Sequence, residues 1–370
     1  MKDYPIIAPA DPRATYLAAE TEINDALQRV LRSGTYILGP EVSAFELELA
    51  HFLGANGAVG VANGTDALEL ALRACGVGPG DKVATVANTV TATITAIVST
   101  GAQPVFVEIE SDTMLMSSSA LSQRLLAPDA ASIKAVVPVH LYGLACDMPA
   151  IMDIARRHGL HVVEDCAQAH GSTIAGRMAG TWGDLAAFSF YPTKNLGALG
   201  DAGAVVGGRS EFLDHCRRLR QYGWRTRYVS EEHGRNSRLD EMQAAILRVR
   251  LGRLTTENAH RQLLAARYLT GLASTRLRLP VTTADRTHTW HQFVIRTPRR
   301  DELKAYLEKL GILAGVLYPV PIHRQPAYAQ EVDLPLTDQA CAEVVSLPLH
   351  PGLGRGEIDR VVQAVCGFRN

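Results

Sequence analysis

A chain of 370 residues, 47% hydrophobic and 20% charged, has the composition of a soluble globular enzyme with room for a large domain and a satellite. Its formal net charge of −1 gives no global electrostatic reason to bind nucleic acid or a membrane surface. Six scattered cysteines, with no Cys-x-x-Cys pair and no histidines at metal spacing, predict a reduced cytoplasmic setting and no metal site. Residues Met1 to Pro5 lack the apolar core of a secretion signal, and no run of about 18 apolar residues predicts a membrane span.

Apolar positions at Ile23, Ala26, Leu27, Val30 and Leu31 predict a helix over 20–31, ended by Ser33-Gly34. Val42, Phe45, Leu49 and Phe52 predict a second over 41–53. Residues 58–62 read as a short buried strand running into Asn63-Gly-Thr-Asp66 and a helix. Strand, Gly-Thr and helix start point free N–H groups at an anion, but the same residues also make an ordinary N-cap. Further strands are predicted over 83–86, 104–108, 135–142 and 160–165, with helices over 88–97 and 151–158. The strand at 160–165 ends in Glu164 and Asp165. In an open α/β sheet, carboxylates at that end of a strand lie where ligands bind. Strand and helix alternate from Ala58 to Gly208, which predicts a mostly parallel sheet covered on both faces.

The apolar run Ala186 to Phe190 then enters Pro192, a single lysine at Lys194, and glycines at 197, 200 and 203, with no other lysine before Lys304. An amine held in such a turn can form a Schiff base where desolvation and nearby cations lower its pKa. A strand, a loop and a chance lysine remain the plainer reading of these residues alone. Seven arginines between Arg217 and Arg238, against Glu231 and Glu232, suit an anionic small molecule, an oligomer contact, or ordinary helix-surface ion pairing. Helices are predicted over 211–222, over 239–254, and on to about 272. A polar linker follows over 279–288, then a strand at 292–296, a helix at 301–310, a strand at 314–317 and a closing amphipathic helix through Ile358, Val361 and Val365. These elements predict a large domain over 1–254 and a smaller α+β domain over 255–370, entered through a linking helix at 255–272.

Five segments in order carry a family resemblance: Asn63-Gly-Thr-Asp-Ala-Leu68, Pro138-Val-His-Leu-Tyr-Gly143, Val163-Glu-Asp-Cys-Ala-Gln-Ala-His-Gly171, Phe188-Ser-Phe-Tyr-Pro-Thr-Lys-Asn-Leu-Gly197 and Asn236-Ser-Arg-Leu-Asp-Glu241. From Gly39 to Pro351 the chain resembles the DegT/StrS-type sugar aminotransferases, which are fold-type I pyridoxal 5'-phosphate (PLP) enzymes. The resemblance implies an α/β fold with a mostly parallel seven-stranded sheet between helices, plus a smaller C-terminal α+β domain. It implies that Lys194 is the catalytic lysine, in Schiff-base linkage to PLP and moving the proton between substrate and cofactor carbons. Asp165 would pair with the pyridine nitrogen, which a PLP electron sink needs. Gln168 would hold the ring's phenolic oxygen and Ala167 one ring face. Gly64, Thr65 and Ser189 would hold the phosphate, joined by Asn236 reaching from the neighbouring subunit of a homodimer. Val90 stands where many relatives place an aromatic ring over the cofactor, and Leu317 where many have histidine.

Tyr318-Pro-Val-Pro-Ile-His-Arg-Gln-Pro-Ala-Tyr328 resembles the subgroup that aminates C3 of nucleotide-linked keto sugars. It implies that Tyr191, Tyr318 and His323 line the sugar-nucleotide site, with Arg227 and Tyr228 reaching it from the partner. The implied reaction is ping-pong, from L-glutamate through pyridoxamine phosphate (PMP) to a keto sugar of the dTDP-3-keto-6-deoxyhexose type. A keto-cyclitol aminotransferase and a non-catalytic PLP-binding regulator are the alternatives. A sugar dehydratase of this fold would replace Lys194 with histidine. A dinucleotide-binding dehydrogenase would need Gly-x-Gly-x-x-Gly after the first strand, where Asn63-Gly-Thr stands instead.

Overall fold

The computed structural model describes residues 5–368. Its centre is a seven-stranded sheet of β1 (Gly57–Val61), β2 (Lys82–Val86), β3 (Gln103–Val107), β4 (Ile133–Val136), β5 (His161–Asp165), β6 (Leu185–Ser189) and β7 (Gly203–Gly207). Their spatial order is β1-β7-β6-β5-β4-β2-β3. β7 runs antiparallel to both β1 and β6, and the other pairings are parallel. The strands are buried along almost their whole length, which is why they read as continuous apolar runs.

Helices α1 (Glu20–Ser33), α2 (Pro40–Leu53), α3 (Gly64–Ala74), α4 (Thr91–Ser99), α5 (Met148–His158) and α6 (Ser210–Leu219) belong to this part of the chain. α1 and α2 stop at Gly34 and Gly54, both at φ 70°, a left-handed terminus that glycine adopts without a Cβ penalty. The start of α2 is held from far away. The Glu241 carboxylate accepts from the N–H groups of Gly39, Glu41 and Val42 at 2.8, 2.9 and 2.8 Å. A buried anion thus meets the positive end of a helix dipole.

The sequence expectation of two helices over 239–272 is replaced by one continuous helix, α7 (Glu241–Leu272), of 32 residues. It packs on α1 and α2 at one end and on the closing helix at the other. Those tertiary contacts override the weak helix formers Gly252, Thr255 and Thr256 in its middle. Position 254 lies inside it. Beyond α7, β8 (Phe293–Arg296) pairs antiparallel with β9 (Val344–Leu347), flanked by α8 (Arg300–Lys309) and α9 (Arg355–Gly367). Tyr268, Phe293, Leu307, Leu347 and Val361 form a second apolar core there, and Ile7 joins it by pairing with Ile312.

Three other expectations shift. The strand predicted over 135–142 ends at Val136. Pro138 lacks a donor, and residues 141–143 wind into a 3-10 turn with Tyr142 at φ 61°. The expected linker contains a two-residue strand, Arg286–Thr287, paired with Thr173–Ile174. The expected strand at 314–317 is reduced to a single bridge between Gly315 and Ser346. Among the described residues no helix is long and apolar enough to cross a membrane.

Candidate active site

A cavity of about 370 Å³ opens at the C-terminal ends of β1, β5 and β6, the end of an α/β sheet at which ligands bind. Lys194 enters it from the turn after β6. That turn is built by Lys194 N–H donating to the Tyr191 carbonyl at 2.8 Å and Ala198 N–H to the Phe190 carbonyl at 2.8 Å. Any Cβ on Gly197 would lie 2.5 Å from the Pro192 carbonyl oxygen, so the backbone closes only around glycine. The next residue fastens the turn. Asn195 Nδ2 donates to Asn258 Oδ1 of α7 at 2.9 Å and to the Thr289 carbonyl at 3.0 Å. Burial pushes the Lys194 amine down to about 8, with the Asp165 carboxylate opposing the shift.

The two carboxylates at the end of β5 point to opposite faces, as alternate strand residues must. Glu164 is wholly buried. It accepts from the N–H groups of Gly180, Trp182 and Gly183 at 2.8, 2.7 and 2.8 Å and lies 2.9 Å from His140 Nε2. Asp165 faces the cavity. Its Oδ1 accepts from Ala167 N–H at 3.1 Å and its Oδ2 from the Thr93 hydroxyl at 2.9 Å.

Gly64 and Thr65 open α3 beside Ser189, and the N–H groups of a helix's first turn have no partner within the helix. Asn63 takes the cap itself, its Oδ1 accepting from Asp66 N–H at 2.8 Å. A Cβ on Gly64 would lie 2.5 Å from Ser189 Cβ. The result is a narrow anion cradle on the wall of the same cavity that the Lys194 amine and the Asp165 carboxylate line. Gln168 stands with its Oε1 accepting from Tyr142 N–H at 2.7 Å and its Nε2 donating to the Tyr318 hydroxyl at 3.2 Å. Burial raises that tyrosine to about 12. Val90, Ala167 and Tyr191 complete the predicted residues found on the cavity wall.

Four predicted residues are not brought to this cavity. Asn236 is exposed and bridges Gln221, while Arg227 and the 73%-exposed Tyr228 sit on the turn of a small hairpin. His323 is buried beside Phe106, its Nε2 3.2 Å from Asp338. Several arginines of the basic segment are spent on pairs within the chain. Arg220 meets Glu46 at 2.6 Å, and Arg235 meets Asp66 at 3.1 Å and Glu69 at 2.6 Å. Conversely, Thr93, Asp201 and His291 line the cavity without having been singled out. His291 lies 3.2 Å from Asn195, and burial, reinforced by the nearby Lys194, holds its pKa well below the usual range.

A helix-capped anion cradle, a half-buried amine of lowered pKa and a fixed carboxylate on one α/β sheet define the class of fold-type I aminotransferases. Residues 18–366 match the DegT/DnrJ/EryC1/StrS aminotransferase family, and the chain belongs to it. It is 48% identical over 360 residues to a dTDP-3-amino-3,4,6-trideoxy-alpha-D-glucose transaminase of Streptomyces venezuelae, covering 96% of this chain and 94% of that one. The crystal structure of S. venezuelae DesV in complex with a ketimine intermediate superposes with a TM-score of 0.95 at 46% identity, covering 99% of this chain and 100% of that one. NtdA of Bacillus subtilis, solved with bound cofactor PMP, superposes at 0.89 with 31% identity, covering 99% of this chain and 86% of that one.

Proposed function

We propose that this protein is a PLP-dependent aminotransferase that moves the amino group of L-glutamate to C3 of a dTDP-linked 3-keto-6-deoxyhexose. The observation that carries the chemistry is Lys194, half-buried and pushed down to about 8 by desolvation, in one cavity with Asp165 and the α3 anion cradle. The sugar class rests on the S. venezuelae relative, whose name specifies a dTDP-linked sugar bearing nitrogen at C3.

The residues present fit PLP. Gly64, Thr65 and Ser189 offer backbone and hydroxyl donors to a phosphate. Asp165 offers an acceptor to a ring N–H, and Gln168 Nε2 a donor to a phenolic oxygen. Val90 and Ala167 supply apolar contact on its two faces. When bound, PLP supplies the electron sink that makes a proton on the substrate carbon removable. Lys194 would tether the cofactor at rest, and, once displaced, its Nζ would take that proton from the substrate carbon and deliver it to the cofactor carbon on the far side of the shared nitrogen. A lysine brought to about 8 keeps a usable neutral fraction at cytoplasmic pH. The Gln168 donor occupies a lone pair of the Tyr318 oxygen, which leaves the Tyr318 proton to face a substrate hydroxyl or phosphate.

The protein works as a homodimer with shared sites. Asn236, Arg227 and Tyr228 reach the partner's cavity, which accounts for polar and aromatic groups exposed on one protomer. Residues 1–254 carry the cofactor, residues 255–370 form the smaller unit, and the enzyme acts in the cytoplasm. The visible band of the PLP-loaded protein tests this reading. L-glutamate alone should bleach it and the dTDP keto sugar should restore it, with no such cycle in Lys194→Ala. A band that no amino acid alters would overturn it.

A further inference from the structure

The helix that begins beside the cavity is poorly suited to being a helix. Of the nine residues of α4, Thr91, Thr93, Ile94, Thr95, Ile97 and Val98 are β-branched, and its N-cap Val90 offers no side-chain hydrogen bond. A threonine or serine at the cap would satisfy the helix start, and threonines stand on either side of it, at 89 and 91. The hydroxyls are used elsewhere. A threonine inside a helix commonly bonds back to a carbonyl one turn earlier. Thr93 instead reaches Asp165, 72 residues away in sequence, at 2.9 Å. Because the Thr93 proton goes to the carboxylate, its oxygen accepts from the Thr89 hydroxyl at 2.8 Å. Thr89 and Thr93 are each 1% exposed. Local helix stability is given up to aim one hydroxyl at a carboxylate with a second hydroxyl behind it, a pattern expected at a functional site.

We propose that Thr93, backed by Thr89, is the positioning residue for Asp165, a role that rests on the PLP reading above. Ala167 N–H and the Thr93 hydroxyl take one lone pair on each carboxylate oxygen and so fix the plane of the group. The remaining acceptor direction on Asp165 is held toward the cavity, where a cationic ring N–H would lie. Hydrogen bonds that donate in series polarise one another, so Thr89 strengthens what Thr93 delivers. Neither threonine touches the reacting atoms.

The test is cofactor binding to the apo-protein, together with the ring-nitrogen NMR signal of PLP carrying heavy nitrogen. Thr93→Val should raise the PLP Kd about tenfold, the cost of one lost hydrogen bond to a charged group. It should also move the ring nitrogen toward its unprotonated signal. Thr93→Ser, which keeps the hydroxyl, should restore both, and Thr89→Val should fall between. A wild-type Kd and signal in Thr93→Val, or a Thr93→Ser as impaired as Thr93→Val, overturns the proposal. If Thr93→Val does not fold, Thr89→Val decides alone, and a wild-type signal there counts against the relay. Failure of the wild type to take up PLP would instead sink the underlying reading, and this inference with it.

Discussion

Gln168 Oε1 accepts from the backbone N–H of Tyr142 at 2.7 Å, and that one contact decides which end of the amide faces the cavity. A flipped amide would set two donors against each other, so Nε2 is committed to the Tyr318 side. Tyr142 makes the contact from φ 61°, and its hydroxyl also donates to the Leu317 carbonyl. The end of β4, the loop after β5 and the Tyr318 segment are thereby joined around one side chain. Gln168→Glu replaces the Nε2 donor with an acceptor and, on the proposed PLP reading, would set a carboxylate against the cofactor's phenolic oxygen. The expected outcome is a PLP Kd raised at least tenfold with apo-protein Tm little changed, read by titration and thermal unfolding.

Adjacent carboxylates should separate stability from chemistry. Glu164→Gln leaves one acceptor oxygen where the carboxylate takes three N–H groups and His140, and should cost about 2–4 kcal/mol of stability. Its PLP spectrum should survive. Asp165→Asn should keep the fold and lose transamination by orders of magnitude. Urea unfolding and kcat measured on both variants check the contrast.

The lysine carries its own pH dependence. The folded chain gives up the Lys194 proton at about 8 where a free lysine keeps it to 10.5, so apo-protein stability rises with pH across that window. Below it the half-buried ammonium costs the fold on the order of 3 kcal/mol at 1.36 kcal/mol per unit. Lys194→Met should therefore raise the apo Tm at neutral pH, and the gain should fade toward pH 10.5. The rate of PLP capture by wild type should climb as pH rises through about 8, because only the neutral amine attacks.

His323 should behave as a core residue. It is 1% exposed and held between Phe106 and Asp338, away from the cavity wall. His323→Ala should lower stability by about 1–3 kcal/mol and leave the keto-sugar KM within twofold. Tyr318→Phe should do the reverse, raising that KM with little change in Tm.

The residues at strand ends were legible because the sequence marks such ends. Lys194 follows an apolar run and a proline, Asp165 closes another apolar run, and Gly64-Thr65 separates a strand from a helix. Thr93 was not, because a threonine among other threonines at a helix start signals only weak propensity, and its partner is the last residue of a strand 72 positions on. Asn195 and His291 escaped for the same reason: they meet through chain segments about a hundred residues apart. The sheet was predictable from strand–helix alternation. The continuity of α7 was not, since it depends on packing against helices at both of its ends.

Following the nitrogen atom separates amino transfer from cofactor binding alone. The PLP-loaded protein would be incubated with L-glutamate carrying heavy nitrogen and a dTDP-linked 3-keto-6-deoxyhexose, and the nucleotide sugar weighed by mass spectrometry. Wild type should form a dTDP-3-amino sugar bearing the heavy nitrogen, and Lys194→Ala should form none. An unchanged keto sugar, under conditions where glutamate has already bleached the cofactor band, would contradict the substrate. Product formed equally well by Lys194→Ala would contradict the mechanism.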